Sequence, residues 1–314
     1  MHKDFVNSLG KNIFSKNTSN PLYKPKEMCY NIMKYVLFQR FYMIICDLHT
    51  HTRFSFDGAK DSTPEALCRR ALEVGITHLA ITDHCDINGE VEGIYTPYAA
   101  DEAWEAMSAA KEKFKGRLHL SRGIELGNAH QYPNEAKAAL LRHPYEFVIG
   151  SLHNLTGVPD FCMLRYEMMT DAHIHSLFDR MLDETLQLVS FDGLHTLGHL
   201  TYMHRYISLA QKPFDFKPHY DKIVGIYKSL ITRDMALELN VSTLWKGLGI
   251  SMPTLELLKL YRDQGGRLIT VGSDAHSPEN VGKCIRKGYA LLRTAGFSEV
   301  AVMEDGQRTA VSII

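Results

Sequence analysis

The chain has 314 residues, of which 45% are hydrophobic and 23% charged, a balance typical of a globular protein rather than a fibrous or disordered one. With a formal net charge of −1 and no long apolar run, the sequence predicts neither a nucleic-acid partner nor a membrane partner. Its six cysteines are scattered without a CxxC pair, which favours reduced thiols and a cytoplasmic location.

Residues 1–42 differ from the rest of the chain. They are rich in Asn, Lys and Ser and show no sustained hydrophobic period, whereas a strand-like run begins at Met43. We interpret 1–42 as a weakly ordered extension or as the result of a mis-assigned start, with an ordinary ordered extension as the alternative. Residues 43–314 are predicted to form one domain, which should fold and act without the first 42 residues.

Strand-like and helical patterns then alternate along the chain. The strand-like runs cover 43–48, 78–82, 118–126, 147–152, 194–199, 235–240 and 267–273. One helical pattern starts with a capping box at Ser62 and Glu65 and ends at Gly75. Others cover 171–189 and begin near Pro253, in the first turn. Repeated strand–helix units predict a parallel sheet covered by helices, and about seven strands favour an α/β barrel over an open sheet.

Residue types that bind metal ions recur where the predicted strands end. These ends read DLHTH (47–51), TDH (82–84), GIEL (123–126), GSLH (150–153), LGH (197–199) and GSDAH (272–276). Because the C-terminal ends of barrel strands converge on one face, where sites are built, we expect these side chains to meet. Histidines that served packing alone would not share this position.

The strand ends supply more donors than one tetrahedral site needs. The candidate metal ligands are His49, His51, Asp57, His84, Glu125, His153, His199, Asp274 and His276. Some alternatives stay open: Asp83 could ligate in place of His84 or orient a histidine, and Asp57 could simply cap its turn before Gly58. The set suits two or three divalent ions (zinc, iron or manganese) bridged by a carboxylate such as Glu125, which could activate water for phosphoryl displacement.

Further residues are candidates for catalysis and for substrate binding. Asp274, His276 and Glu125 are predicted to be catalytic, and the general acid is one of the Asp or His residues of the site. Two arginines that follow ligand strands could grip phosphate, and an asparagine that ends the sixth strand could touch the substrate. Surface arginines and a turn-forming asparagine are the alternatives. The substrate-binding candidates are Arg205, Arg165 and Asn240.

The remaining histidines carry a weaker signal. His173 and His175 fall in the helical pattern over 171–189 and are predicted on its surface. His78 and His119 begin predicted strands, which places them at the end of a barrel that serves stability. No metal role is predicted for them.

The ordered motifs HTH, SFDG, TDH, GIEL, GSLH, LGHL and GSDAH, over about 43–276, resemble those of the PHP (polymerase and histidinol phosphatase) family. The segment 288–313 is similar to the tail of its histidinol-phosphatase branch. The resemblance implies a distorted (β/α)7 barrel and a trinuclear metal centre at the nine residues above. It also implies hydrolysis of L-histidinol phosphate, a small phosphate monoester, in histidine biosynthesis. Family members start a few residues before HTH, so residues 1–42 depart from the pattern.

Two other functions remain open. A PHP phosphoesterase acting on nucleotides or oligonucleotides would use the same ligands, although a long nucleic acid favours a basic stripe that this sequence lacks. A non-catalytic metal-binding module is the second alternative, and against it stands the cost of burying so many charged groups without chemistry. The sequence makes no prediction about oligomeric state.

Overall fold

The computed structural model describes residues 44–304 and 306–313, so the interpretation of 1–42 lies outside the described residues and stays a prediction. Eight strands form one parallel sheet in the order β1-β2-β4-β5-β6-β7-β8, with β3 paired to β4. They are β1 Cys46–Asp47, β2 His78–Ile81, β3 His84–Asp86, β4 His119–Gly127, β5 Phe147–Ser151, β6 Thr196–Leu197, β7 Ala236–Asn240 and β8 Ile269–Gly272.

Backbone hydrogen bonds join the first strand to the last. Leu48 N donates to Val271 O at 2.9 Å, and His51 N donates to Ala275 O at 2.8 Å. Thr50 and Ala275, which follow the two strands, form an isolated parallel bridge. The sheet is therefore a nearly closed barrel, and the predicted α/β barrel of the (β/α)7 type is confirmed.

Helices connect the strands and cover the outside of the sheet. They are α1 Pro64–Glu73, α2 Ile87–Val91, α3 Ala100–Phe114, α4 Pro133–Leu141, α5 Asp171–Leu188, α6 Tyr202–Leu209, α7 Tyr220–Thr232, α8 Ser242–Trp245, α9 Leu255–Asp263 and α10 Ile285–Thr294. In α5 the apolar residues at helical spacing, from Ile174 to Leu188, are buried, and Thr170 caps the first turn. The predicted helix over 171–189 is thus confirmed.

The start of α1 differs from the prediction. Thr63, not Ser62, is the N-cap, since its hydroxyl accepts a hydrogen bond from Ala66 N at 3.1 Å. The Ser62 hydroxyl is already used, because it donates to His51 O at 2.7 Å and so ties the helix entry to the loop after β1. The predicted end is confirmed: the helix stops before Gly75, whose φ of +79° suits glycine.

The start of α9 also differs. Pro253 lies outside the helix, which begins at Leu255 after Thr254, and the Met252–Pro253 peptide bond is cis. A hydrogen-bonded pair between Asn240 and Met252 holds the preceding segment in extended form, so the chain reaches Pro253 before it can turn into a helix.

A C-terminal hairpin, which the sequence analysis did not predict, packs beside the barrel. It consists of β9 Glu299–Glu304 and β10 Gln307–Ser312, paired antiparallel. The Ser121 hydroxyl donates to Met303 O at 3.3 Å, so the end of β9 lies near the N-terminal part of β4. None of the helices in 44–304 or 306–313 combines the length and apolar character that a bilayer crossing demands.

Candidate metal centre

The structure brings all nine predicted ligand residues together at the C-terminal end of the barrel. His49 and His51 follow β1, Glu125 lies in β4, and the remaining six occupy β3 or the loops after β1, β5, β6 and β8. Glu125 is fully buried at the centre. Sheet hydrogen bonds hold the backbone at each strand end. Because the C-terminal ends of the barrel strands converge, the candidate ligand side chains converge as well.

Both carboxylate oxygens of Glu125 face imidazole rings. Its Oε1 lies 2.9 Å from His199 Nε2 and accepts a hydrogen bond from the Ser151 hydroxyl at 2.6 Å. Its Oε2 lies 2.9 Å from His84 Nδ1. A carboxylate in this position can bind one cation through each oxygen. The rings with a nitrogen within 3.5 Å of its oxygens are those of His49, His51, His84, His153 and His199.

Two further carboxylates extend the cluster towards solvent. Asp274 Oδ1 lies 3.4 Å from His51 Nε2 and 3.5 Å from His276 Nδ1. Asp57 Oδ2 lies 3.1 Å from His276 Nε2, and its Oδ1 lies 3.7 Å from His84 Nε2. The Asp57 side chain is 45% exposed, so this side of the cluster is open to a ligand from solution. Asp57 was expected either to be a metal ligand or simply to cap its turn. Its carboxylate faces the cluster, which favours the first alternative.

Several buried donor atoms of the cluster form no hydrogen bond with any described residue. A buried polar atom without a partner costs free energy, so each such atom suggests a missing ligand. Four triplets of donors in the cluster, each with ligand atoms within 4.8 Å of one another, could hold an ion. The residues therefore fit more than one divalent metal ion. The atoms that form no hydrogen bond, although each lies within 3.5 Å of an oppositely charged group of the cluster, are His49 Nε2, His51 Nε2, His84 Nδ1, His276 Nε2 and Glu125 Oε2.

Two carboxylates that the sequence analysis missed orient the ligand rings. Glu238 Oε1 lies 2.7 Å from His49 Nδ1, and its Oε2 accepts a hydrogen bond from His199 N at 2.7 Å. Asp86 Oδ1 lies 2.6 Å from His153 Nδ1. A carboxylate on the second ring nitrogen fixes the tautomer and turns the first nitrogen towards a metal.

Asp83 takes the orienting role rather than the ligating one. Its carboxylate accepts hydrogen bonds from Thr52 N at 2.5 Å and from the Ser55 hydroxyl at 2.9 Å. The Ser55 oxygen in turn lies 3.1 Å from His51 Nδ1. Asp83 therefore acts on His51 through Ser55, which leaves His84 as the residue of the TDH motif that faces the cluster.

The backbone approaches the cluster closely after β8. A Cβ at Gly272 would lie 2.2 Å from the Cβ of His49, so only glycine leaves room for the first ligand strand. Two residues later Asp274 has a φ of +54°, a conformation uncommon for a residue with a side chain. Asp274 N donates to His49 O at 2.9 Å, which holds that backbone in place.

The carboxylates of the cluster favour positive charge on the groups around them. Burial lowers the pKa of the His84 imidazole, but Glu125 and neighbouring carboxylates outweigh it and raise the pKa to about 9. The same competition raises the pKa of His49 and His153 well above the ordinary value. Burial and adjacent imidazoles lower the pKa of His51 well below it. In the absence of metal, protons on the rings balance the carboxylates, and a divalent ion would displace them.

A cavity of about 430 Å³ opens from the cluster to solvent. Its wall carries two cationic side chains, Arg205 and Lys246, and one carboxylate outside the metal cluster, Asp160. Lys246 was not a predicted site residue. Aromatic side chains form most of the remaining wall and include Phe56, Tyr95, Tyr202, Tyr206 and Trp245. The cavity thus offers both charged groups and flat aromatic surface beside the cluster, since the Phe56 ring centre lies 5.0 Å from that of His84 and the Tyr202 ring centre 4.9 Å from that of His199.

The predicted substrate-binding residues lie in three different settings. Arg205 lines the cavity, with its guanidinium carbon 5.3 Å from the centre of the Tyr206 ring. Arg165 does not line it: the side chain is 76% exposed and its Nε pairs with Glu167 at 2.8 Å. The connection between β5 and α5 carries Arg165 to the surface. The geometry therefore gives no support to a role for Arg165 in binding phosphate.

Asn240 is buried beneath the cluster rather than exposed to the cavity. Its Nδ2 lies 3.4 Å from Glu238 Oε2 and 3.4 Å from Asp274 Oδ2. Its Oδ1 accepts a hydrogen bond from the Ser242 hydroxyl at 2.7 Å. This arrangement positions carboxylates, so direct contact between Asn240 and a substrate is not what the geometry favours.

Comparisons with known proteins point to one family. The family model of the PHP domain matches residues 47–242. A histidinol-phosphatase of Lactococcus lactis is 24% identical over 260 residues, which are 81% of this chain and 93% of that protein. A Thermotoga maritima protein named "Probable histidinol-phosphatase" is 28% identical over 83% of this chain and 96% of its own length. A crystal structure of the Lactococcus lactis histidinol phosphate phosphatase with zinc, L-histidinol and phosphate superposes with a TM-score of 0.69 at 23% identity, covering 84% of this chain and 98% of that one.

Proposed function

The chain belongs to the PHP domain family, and we propose that it is a metal-dependent phosphatase that hydrolyses L-histidinol phosphate to L-histidinol and phosphate. The observation that carries the proposal is the buried Glu125 carboxylate, which has imidazole nitrogens around both of its oxygens. The relatives named as histidinol-phosphatases match over more than four fifths of this chain and more than nine tenths of their own length, which supports the proposal. The reaction belongs to histidine biosynthesis.

Two or three divalent ions, with zinc, iron and manganese as candidates, fit the nine donor residues. When bound, such ions lower the pKa of water and neutralise the charge of a phosphate monoester. Glu125 would hold ions together through its two oxygens, while Glu238 and Asp86 keep the histidine rings in the ligating orientation. Asp274 and His276 lie where the cluster meets the cavity. There they would position the phosphate group that is hydrolysed and transfer protons.

The cavity wall carries cationic groups suited to phosphate and a carboxylate suited to a cation. Arg205 offers a planar fork that can donate to two phosphate oxygens, and Lys246 adds a second positive charge. Asp160 lies on the same wall, and its Oδ1 accepts a hydrogen bond from Cys162 N at 2.7 Å. That bond fixes the carboxylate where it can pair with the ammonium group of histidinol phosphate.

The carboxylate on the cavity wall also argues against a nucleic-acid substrate. An oligonucleotide brings repeated negative charge, which Asp160 would repel. A small phosphate monoester with a cationic end matches the cavity in size and charge. The free thiols of Cys46, Cys68 and Cys85 are consistent with the cytoplasmic location expected from the sequence, which stays a prediction.

A phosphate-release screen tests the proposed function. Zinc-loaded protein would be assayed with histidinol phosphate, a nucleoside monophosphate and a sugar phosphate at equal concentrations. We expect kcat/KM to be at least about a hundredfold higher for histidinol phosphate, because only this substrate satisfies both Arg205 and Asp160. A higher kcat/KM for the nucleotide would reject the proposed substrate while leaving the phosphatase chemistry in place.

A further inference from the structure

A second group of metal-binding residue types lies at the opposite end of the barrel. His78 and His119 are the first residues of β2 and β4, and they are paired in the parallel register of those strands. Glu304 is the last residue of β9 and reaches them from the C-terminal hairpin. The three side chains offer ligand atoms within 4.8 Å of one another. Three separate strands thus contribute one donor each.

The rings of the two histidines lie face to face. Their centroids are 4.5 Å apart and their planes differ by only 4°, so the two imidazoles present parallel edges. His78 Nε2 lies 2.9 Å from Glu304 Oε1. Donors around one tetrahedral zinc ion lie about 3.4 Å apart when the bond lengths are near 2.1 Å. Because His119 is exposed, its side chain has room to turn, so the three donors could adopt that spacing when an ion binds.

The buried member of the group is held in a ligating orientation. His78 is 3% exposed, and its Nδ1 lies 3.0 Å from the Thr77 hydroxyl oxygen. That oxygen also contacts the backbone of Ile45, whose N donates to it at 3.1 Å. Histidines that bind metal generally have the second ring nitrogen fixed by such a partner. His78 Nε2 therefore points towards Glu304 without any rearrangement.

An ion pair between His78 and Glu304 does not explain why His119 lies beside them. Because His119 stacks on His78, the Glu304 carboxylate lies beside two imidazole rings rather than one, and all three side chains offer ligand atoms within 4.8 Å of one another. A cation shared by both rings and by the carboxylate explains why His119 stacks on His78 beside Glu304.

We propose that His78, His119 and Glu304 form a second divalent transition-metal site, for which zinc is the first candidate, and that it joins the C-terminal hairpin to the barrel. Two imidazoles and one carboxylate leave a fourth position open to solvent on the exposed side of His119. Six residues of nearly extended chain separate His78 from His84, or about 20 Å, so the two sites would load independently. The proposal does not depend on the proposed phosphatase activity.

The test counts zinc on protein whose catalytic site is already loaded. Equilibrium dialysis against a series of zinc concentrations would be followed by elemental analysis of the wild type and of His119→Ala, Glu304→Gln and His173→Ala. His173 is an exposed histidine on α5 and serves as the matched control. Turnover of each variant reports on folding, because none of these residues lies in the catalytic cluster.

We expect the wild type and His173→Ala to bind one zinc more than His119→Ala, with equal turnover in all three. Glu304→Gln keeps a partner for His78 but loses the anionic oxygen, and its affinity for the additional zinc should fall at least about tenfold. Zinc should also slow hydrogen exchange in 299–312 of the wild type and not of His119→Ala. Equal zinc content in wild type and His119→Ala, or loss of the additional zinc in His173→Ala, would overturn the proposal.

Discussion

The two ends of the barrel both carry histidine clusters, but their carboxylates differ in burial and in number. At the C-terminal end, imidazoles surround Glu125, which is fully buried, and Asp274, which is 6% exposed. At the N-terminal end two imidazoles meet a single carboxylate, Glu304, whose side chain is 34% exposed. Water can therefore stabilise the charge of Glu304 when no cation is present, whereas it cannot reach Glu125.

This difference predicts an obligatory cation site at the C-terminal end and an optional one at the N-terminal end. A buried carboxylate must have a cation or a proton nearby, so the C-terminal cluster needs its ions to reach its working form. The N-terminal group can persist as a hydrogen-bonded pair of His78 and Glu304. Removing metal should consequently stop chemistry at one end of the barrel and only loosen the hairpin at the other.

Metal removal gives the largest expected effect. Dialysis against a chelator should lower phosphate release from histidinol phosphate by at least about a thousandfold, because water without a metal ion keeps its high pKa. Added zinc or manganese should restore the rate, which a continuous phosphate assay would follow. His119→Ala should respond in the same way, since its site lies at the other end. Unchanged turnover in protein shown to be metal-free by elemental analysis would reject the assignment of the cluster.

Arg205 is expected to give the next largest effect. Arg205→Lys keeps the charge but loses the fork, and loss of a charge-assisted pair costs roughly 1.5–3 kcal/mol. That corresponds to a fall in kcat/KM on the order of tenfold to a hundredfold with metal content unchanged. Steady-state kinetics and elemental analysis would check both parts. Arg165→Lys is the matched control and should be neutral, because Arg165 pairs with Glu167 at the surface.

Asp160 should affect one class of substrate only. Asp160→Asn removes the charge that faces the substrate ammonium and should raise KM for histidinol phosphate by about tenfold. KM for a phosphate monoester without an amine should change little. Parallel KM measurements on the two substrates decide the point. An equal rise for both would mean that Asp160 maintains the cavity wall through Cys162 rather than contacting the substrate.

The dependence of stability on pH should be the smallest effect, and it should have opposite trends with and without metal. The pKa of His84 in the metal-free fold is about 9, so the stability that its proton contributes is present below about pH 6.5 and is lost as the pH rises towards 9. Metal binding improves over the same interval because protons no longer compete for the rings. The difference in Tm between zinc-loaded and metal-free protein should therefore widen from pH 6.5 to 8.5. Parallel Tm curves would contradict this charge balance.

Much of the candidate metal centre could be predicted from sequence because each of its donor residues follows a local pattern. His153 and Asp274 come directly after apolar runs, and the barrel brings the ends of those runs together. The orienting residues could not be predicted in that way, since Glu238 contacts a histidine 189 positions away. One signal was present: Glu238 and Asn240 alternate with apolar residues in MALELN, where a buried charge requires a partner.

Residue type alone predicted local structure least well where a tertiary contact competes for the same side chain. Ser62 has the residue type of a helix cap, but its hydroxyl is engaged by the backbone of His51, and Thr63 takes the role. The C-terminal hairpin had a readable signal in the Asp-Gly pair at 305–306, which lies between two runs of alternating residues. Its packing against the barrel, with Glu304 beside His78, follows from the tertiary fold alone.

The same substitution at the two ends of the barrel tests the central claim most directly. Glu125→Gln and Glu304→Gln each replace one carboxylate oxygen by an amide nitrogen with little change in shape. Metal content and histidinol phosphate turnover would be measured on both variants beside the wild type. We predict that Glu125→Gln loses at least one catalytic metal ion and lowers turnover by about a thousandfold or more, while Glu304→Gln turns over at the wild-type rate. Wild-type metal content and turnover in Glu125→Gln would contradict the account.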